Sequence, residues 1–161
     1  MIYHSKQITC KFLHLSSIAL LCLYLGNITY ADINDEDPFL LGQYYYLAGD
    51  YDAAISIFSE ATATSPDNST YHHWLGRSYG QLAKNSGIFR AYSLSHKTRE
   101  ALERAVELDQ ENTEALADLM KFYEQAPAFL GGGQEKAEEI RNRLEKLESR
   151  SGQPEAGNIE G

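Results

Sequence analysis

The chain has 161 residues, 14 Lys+Arg against 23 Asp+Glu, a net charge of −9 and two cysteines, which bounds it to one domain or a domain with a short appendage. At 43% hydrophobic and 23% charged, its composition is that of a folded globular protein, neither disordered nor fibrous. The acidic balance argues against a nucleic-acid binder, which needs a cationic footprint, and against docking on anionic lipid headgroups.

The first 31 residues contain no acid; Lys6 and Lys11 open a segment whose apolar run spans Phe12 to Leu25. Gly26-Asn27 breaks the run, and Thr29-Tyr30-Ala31 reads as a small-x-small cleavage site before Asp32. This is the tripartite pattern of a secretory signal over residues 1–31. The run of 14 residues is short for a membrane span of about 20. The alternative is an uncleaved anchor, with the lysines holding the N-terminus in the cytoplasm and the rest facing the periplasm. Leu21 precedes Cys22 and Thr9 precedes Cys10, so lipidation, which needs a small residue just before the cysteine, is not expected. Cleavage after Ala31 would remove both cysteines and leave twelve cations against 23 acids, a charge of −11. Stability in an oxidising compartment would then rest on packing.

Residues 32–150 carry an internal repeat. Leu41-Gly42 with Tyr45 recurs as Leu75-Gly76 with Tyr79, an offset of 34, and again as Leu119-Met120 with Tyr123, an offset of 44. Ala61 and Ala105 are also 44 apart, so ten extra residues lie within the second unit. Leu41, Tyr45 and Ala48, like Ala54, Phe58 and Ala61, fall at helical spacing, giving each helix one apolar stripe. Gly42 and Ala54 are small enough for close helix approach. Gly49 is placed to end the first helix in a left-handed conformation, and Asp50 to cap the second. One such pair cannot bury its own stripe, so neighbours must stack. The last helix shows a stripe of Ala137, Ile140, Leu144 and Leu147 with a charged opposite face, as a solubilising end requires. From Ser151 the composition turns to Gly, Pro and Glu, a disordered tail over residues 151–161.

On Leu41, Gly42, Tyr45, Ala54, Phe58, Ala61 and Pro66, with the turn Gly49-Asp50-Tyr51, the first unit resembles the tetratricopeptide repeat (TPR) family. The second unit keeps Leu75, Gly76, Tyr79, Leu102 and Ala105 but has Thr98 and Gln110 where the family prefers Ala and Pro. The third keeps Leu119, Tyr123 and Ala137. The resemblance implies an all-α fold, a short α-solenoid of about three TPR hairpins with a helical insertion in the second repeat. Together with the leader and Ala-Pro-x3-Gly-Gly, the chain resembles small exported bacterial TPR proteins of unassigned activity.

Two insertions interrupt the repeat. Within Gly80–Lys97, Asn85-Ser86-Gly87 marks a turn, and Ile88, Phe89, Tyr92 and Leu94 read as an early start of the following helix, apolar side packed inward. Lys84, Arg90, Lys97 and Arg99 form a basic island, read either as a solvated helix face or as a contact for an anion or acidic partner. In Ala126–Gly133, Pro127 should stop a helix. The three glycines read as a permissive turn with Phe129-Leu130 packed inward, or as free N–H donors for an anion. The second is not a phosphate loop, because the Lys-Ser/Thr and the preceding strand are missing.

No Gly-x-Ser-x-Gly or His-Glu-x2-His occurs, and no catalytic residue, cofactor or metal is expected. His72 and His73 are adjacent, so on a helix they point about 100° apart and cannot share an ion well; His72 is assigned to packing and His73 to a groove. Asn68 or Ser69 is placed to cap a helix.

The TPR resemblance implies a concave surface lined by the first helix of each hairpin. By register the candidate groove residues are Phe39, Gln43, Tyr46, His73, Arg77, Lys121 and Glu124. Arg77 over Lys121 would make a cationic floor beside the aromatic edge of Phe39 and Tyr46. That suits a protein or peptide with an acidic or C-terminal carboxylate group and an apolar anchor; the alternative pairs both cations with local acids such as Glu124. The expected function is a non-catalytic adaptor in the bacterial periplasm. The competing reading is a self-associating homodimer joined through the C-terminal helix.

Overall fold

The computed structural model describes residues 37–151; the proposed leader and the tail beyond Ser151 lie outside the described residues. Six α-helices follow one another: α1 Pro38–Leu47, α2 Tyr51–Thr64, α3 Ser69–Lys84, α4 Ile88–Leu108, α5 Thr113–Gln125 and α6 Gln134–Ser151, with a 3-10 turn at Ala128–Leu130 before α6. No strand occurs among the described residues.

Local chemistry sets the boundaries. Asp37 accepts the Phe39 N–H and Pro38 opens α1, where a missing N–H costs nothing. Gly49, at φ +81°, reverses the chain after α1 as a left-handed residue. Asp50 then caps α2 through the Ala53 N–H at 3.1 Å, and Asn68 caps α3 through the Tyr71 N–H at 3.2 Å. Asn112 accepts the Ala115 N–H at 2.9 Å, and its amide lies 3.4 Å from Ser69 Oγ, which itself donates to the Ala105 carbonyl at 2.9 Å. One side chain thus ties the starts of α3 and α5 to the end of α4. Asn112→Ala is expected to lower the unfolding free energy by about 1 kcal/mol, read from the urea midpoint at unchanged slope; Asn112→Asp should recover most of it.

Each helix packs on its chain neighbours, and α1 also touches α3. The packing repeats in detail. A Cβ on Gly42 would overlap the Phe58 ring, and one on Gly76 would lie 2.8 Å from Leu102 Cγ. These are the same glycine-to-helix contact, separated by the repeat and the ten inserted residues. Thr98 occupies the slot of Ala54 and is likewise buried; its hydroxyl donates to the Leu94 carbonyl at 2.9 Å, which satisfies that hydroxyl.

Two core clusters result. One gathers Ala54, Phe58, Leu75 and Ala101 under a layer of aromatic side chains. The other gathers Leu102, Val106, Leu116, Leu119, Tyr123 and Ile140. The middle of α4 therefore supplies both, with Ala101 facing one and Leu102 the other. Ala137, Ile140, Leu144 and Leu147 of α6 pack on the second cluster, so the stripe offered for self-association is engaged within the chain.

The inserted turns behave differently from expectation on one side. α4 begins at Ile88 as expected and Leu94 is buried, but Ile88 and Phe89 are 80% and 92% exposed. Tyr92, one turn on, is still 49% exposed, and burial begins only at Leu94, because the first turn of α4 extends past the helix it packs on. Phe129 is likewise 71% exposed, not packed inward. The 3-10 turn directs Leu130, not Phe129, toward the body of the protein, and Gly131 at φ +91° turns the chain back.

Candidate partner-binding groove

α3 and α5 each present polar residues at helical spacing toward a shared depression. Arg77 of α3 sits at its centre. Its guanidinium lies 4.5 Å from the Trp74 ring centroid and 5.3 Å from that of Tyr46, and its Nε is 3.3 Å from Asp118 Oδ2 of α5. Cation–π contacts of this kind contribute on the order of 1 kcal/mol each. The rings are themselves fixed. Trp74 meets Phe39, Tyr46 and Phe58 at centroid distances of 5.9, 5.3 and 6.1 Å, and the Tyr46 hydroxyl accepts from Gln81 Nε2 at 3.2 Å.

His73 is 1% exposed, and its Nε2 lies 2.8 Å from the same Asp118 Oδ2. Burial alone would raise the Asp118 pKa; the His73 hydrogen bond, Arg77 and Lys121 outweigh it and hold the carboxyl below its ordinary value. Tyr123 shows the opposite case: burial first, then its 2.7 Å hydrogen bond to Glu103, push the phenol well above its usual range.

A cavity of about 390 Å³ opens here, and Tyr46, Arg77 and Lys121 line it together. The other expected groove residues are not among its lining. Phe39 is part of the aromatic layer on the core. Gln43 is half-buried on α1. Glu124 pairs with Arg141 of α6, which turns it to the far side of α5. His73, expected in the groove, is instead buried between α3 and α5, and it is His72 that lies nearer the surface, its Nε2 2.8 Å from the Pro66 carbonyl. The expected cationic floor is also corrected: Asp118 lines it with Arg77 and Lys121 and lies 3.3 Å from Arg77 Nε, so Arg77 is paired, though not with Glu124.

Asp118 and Trp74 are the residues that register reading misses. They occupy one slot of the repeat, 44 residues apart, adjacent to the slots assigned to the groove. The available signal was composition: the chain's single tryptophan stands three residues before an arginine on the same helix.

Of the basic island, Lys84 makes no ion pair among the described residues, whereas the other three cations and the glycine backbone are engaged. Arg90 pairs with Asp52 at 2.9 Å, Arg99 approaches Glu103 at 3.8 Å, and Lys97 lies 5.3 Å from the Tyr79 ring centroid. The N–H groups of Gly131, Gly132 and Gly133 donate to the carbonyls of Ala128, Pro127 and Tyr123 at 2.9, 3.2 and 2.9 Å, so they are not open to an anion. Among the described residues, no group of three or more His, Cys, Asp or Glu is placed to hold a metal, and no helix is long and apolar enough to cross a membrane. No protein-family model matches the chain, and no curated protein matches it.

Proposed function

We propose that this chain is a short TPR-type stack of about three hairpins that acts as a non-catalytic adaptor, exported to the bacterial periplasm and holding a partner protein or peptide in the depression between α3 and α5. The repeated glycine contacts, Gly42 on Phe58 and Gly76 on Leu102, support the hairpin stack. The observation that carries the binding role is the seating of Arg77: a cation held on two aromatic faces, beside Lys121, in an open cavity. Such a preorganised guanidinium offers a carboxylate a planar donor at small entropic cost.

The test is capture of partners by crosslinking from envelope fractions, with the mature chain as bait and binding measured on the partner recovered. Arg77→Ala and Lys121→Ala are each expected to weaken binding about tenfold, and Lys146→Ala, far along α6, to leave it unchanged. Equal effects of all three would end the groove reading. The intact mass of the exported protein decides between cleavage after Ala31 and a retained anchor.

A further inference from the structure

The two insertions have no part in the adaptor reading, yet they converge on its cavity. Ala91 and Ser95, on the inserted turns of α4, line the same space as Pro127 and Leu130 of the second insertion, and α4 touches the 3-10 turn directly. Gly80 and Ala83 of α3 also line it. A Cβ on Gly80 would already touch Thr98 Cγ2 at 3.4 Å, so the glycine lets α3 and α4 approach closely at the cavity wall. At about 390 Å³ the space lies near the lower end of the ~300–1,000 Å³ typical of ligand sites, which suits one large side chain and not a folded element. Its charged lining is Arg77, Lys84 and Lys121 against Asp118 alone, an inverted balance in a chain of net −9. Lys84 and Lys121 make no ion pair among the described residues.

We infer that the two insertions build a socket for one aromatic or large aliphatic side chain of the partner, with a neighbouring carboxylate of the same segment held by Lys84 and Lys121. The inference rests on the adaptor reading and names what that adaptor selects. The apolar walls exclude water from the inserted side chain, which supplies affinity in proportion to buried area. The two lysines stand at the rim and act chiefly on orientation and encounter.

The probes are three capped peptides, Gly-Asp-Phe-Asp-Gly, Gly-Asp-Ala-Asp-Gly and Gly-Lys-Phe-Lys-Gly, titrated into isotope-labelled mature chain and read by amide chemical shifts. The acidic phenylalanine peptide is expected to move the amides of Gly80, Ala83, Ala91 and Leu130 and to bind at least about tenfold tighter than either control. Ala91→Phe, which fills the socket from a half-exposed helix position, should abolish those shifts. Ser95→Leu serves the same purpose should Ala91→Phe lose its helical circular dichroism. Equal binding of the alanine or lysine peptide, or shifts confined to the surroundings of Phe39 and Gln43, which lie outside the cavity lining, would overturn the socket and leave the adaptor reading standing. Absence of shifts with every peptide would overturn it as well, and the partner capture with Arg77→Ala then judges the adaptor reading separately.

Discussion

Phe58→Ala is expected to lower the unfolding free energy by about 3–5 kcal/mol, among the largest costs for a single side chain. Phe58 is fully buried. Its ring lies against the bare backbone of Gly42 and stacks on Trp74 with an interplanar angle of 29°. Truncation opens a cavity beside Gly42, which has no side chain of its own to fill it, so the loss should sit at the upper part of the range. The effect propagates to the site, because Trp74 is the platform for Arg77. Gly42→Ala alone should cost about 1–3 kcal/mol by overpacking the ring. The double variant should lose less than the two together, since the added methyl occupies part of the space the ring vacates. Urea unfolding followed by the single tryptophan and by circular dichroism measures all three. Additivity within about 0.5 kcal/mol would show that Gly42 and Phe58 do not share one space.

The elements were legible because their ends are written locally. Asp50, Asn68 and Pro127 stop or start helices through bonds or rings within a few residues of themselves, and Gly49 does so through its own φ. The repeat of Gly42 and Gly76 was legible too, as a spacing, although which ring or aliphatic group each would touch was not. The site was read less well, and for a physical reason. Whether a residue on α3 faces the groove or α5 depends on the rotation of one helix against another, and a change of one slot moves a side chain through about 100°. His73 and Asp118 are 45 residues apart in sequence and meet only because α3 and α5 are brought together over α4. Placing His73 in the groove misjudged that rotation, whereas Arg77, one turn later, lies at the boundary and keeps both a buried partner and an open face. The exposed Phe129 and Phe89 show the converse limit: an apolar residue in an insertion has no repeat partner from which its direction can be read.

Asp118→Ala is expected to cost about 2–3 kcal/mol. The penalty for breaking a fully buried pair would be larger, but the carboxylate is 34% exposed and water offsets part of it. Most of the loss comes from His73, which is 2% exposed at its side chain and would be left with its Nε2 unpartnered. Asp118→Asn keeps an oxygen for the imidazole and should lose less, and the difference between the two variants reports the His73 bond. Acidity separates the charge from the packing. The folded carboxyl titrates below its ordinary value of 3.8, so in the acid range the unfolded chain binds more protons at this position than the folded one. Its contribution is therefore complete above the unfolded value and disappears as pH falls through the folded one. The stability gap between wild type and Asp118→Asn should close as pH falls below about 4, through the window between the unfolded and the lowered folded value of Asp118. A gap that widens in acid would mean that the ionised form is not what His73, Arg77 and Lys121 stabilise. The same substitution removes the one carboxylate among the cavity's charged lining and releases Arg77 toward the groove. Binding of the acidic phenylalanine peptide should therefore tighten while the fold weakens. The arginine would then be held by its aromatic faces alone, with the acid of the partner replacing the one the chain has lost.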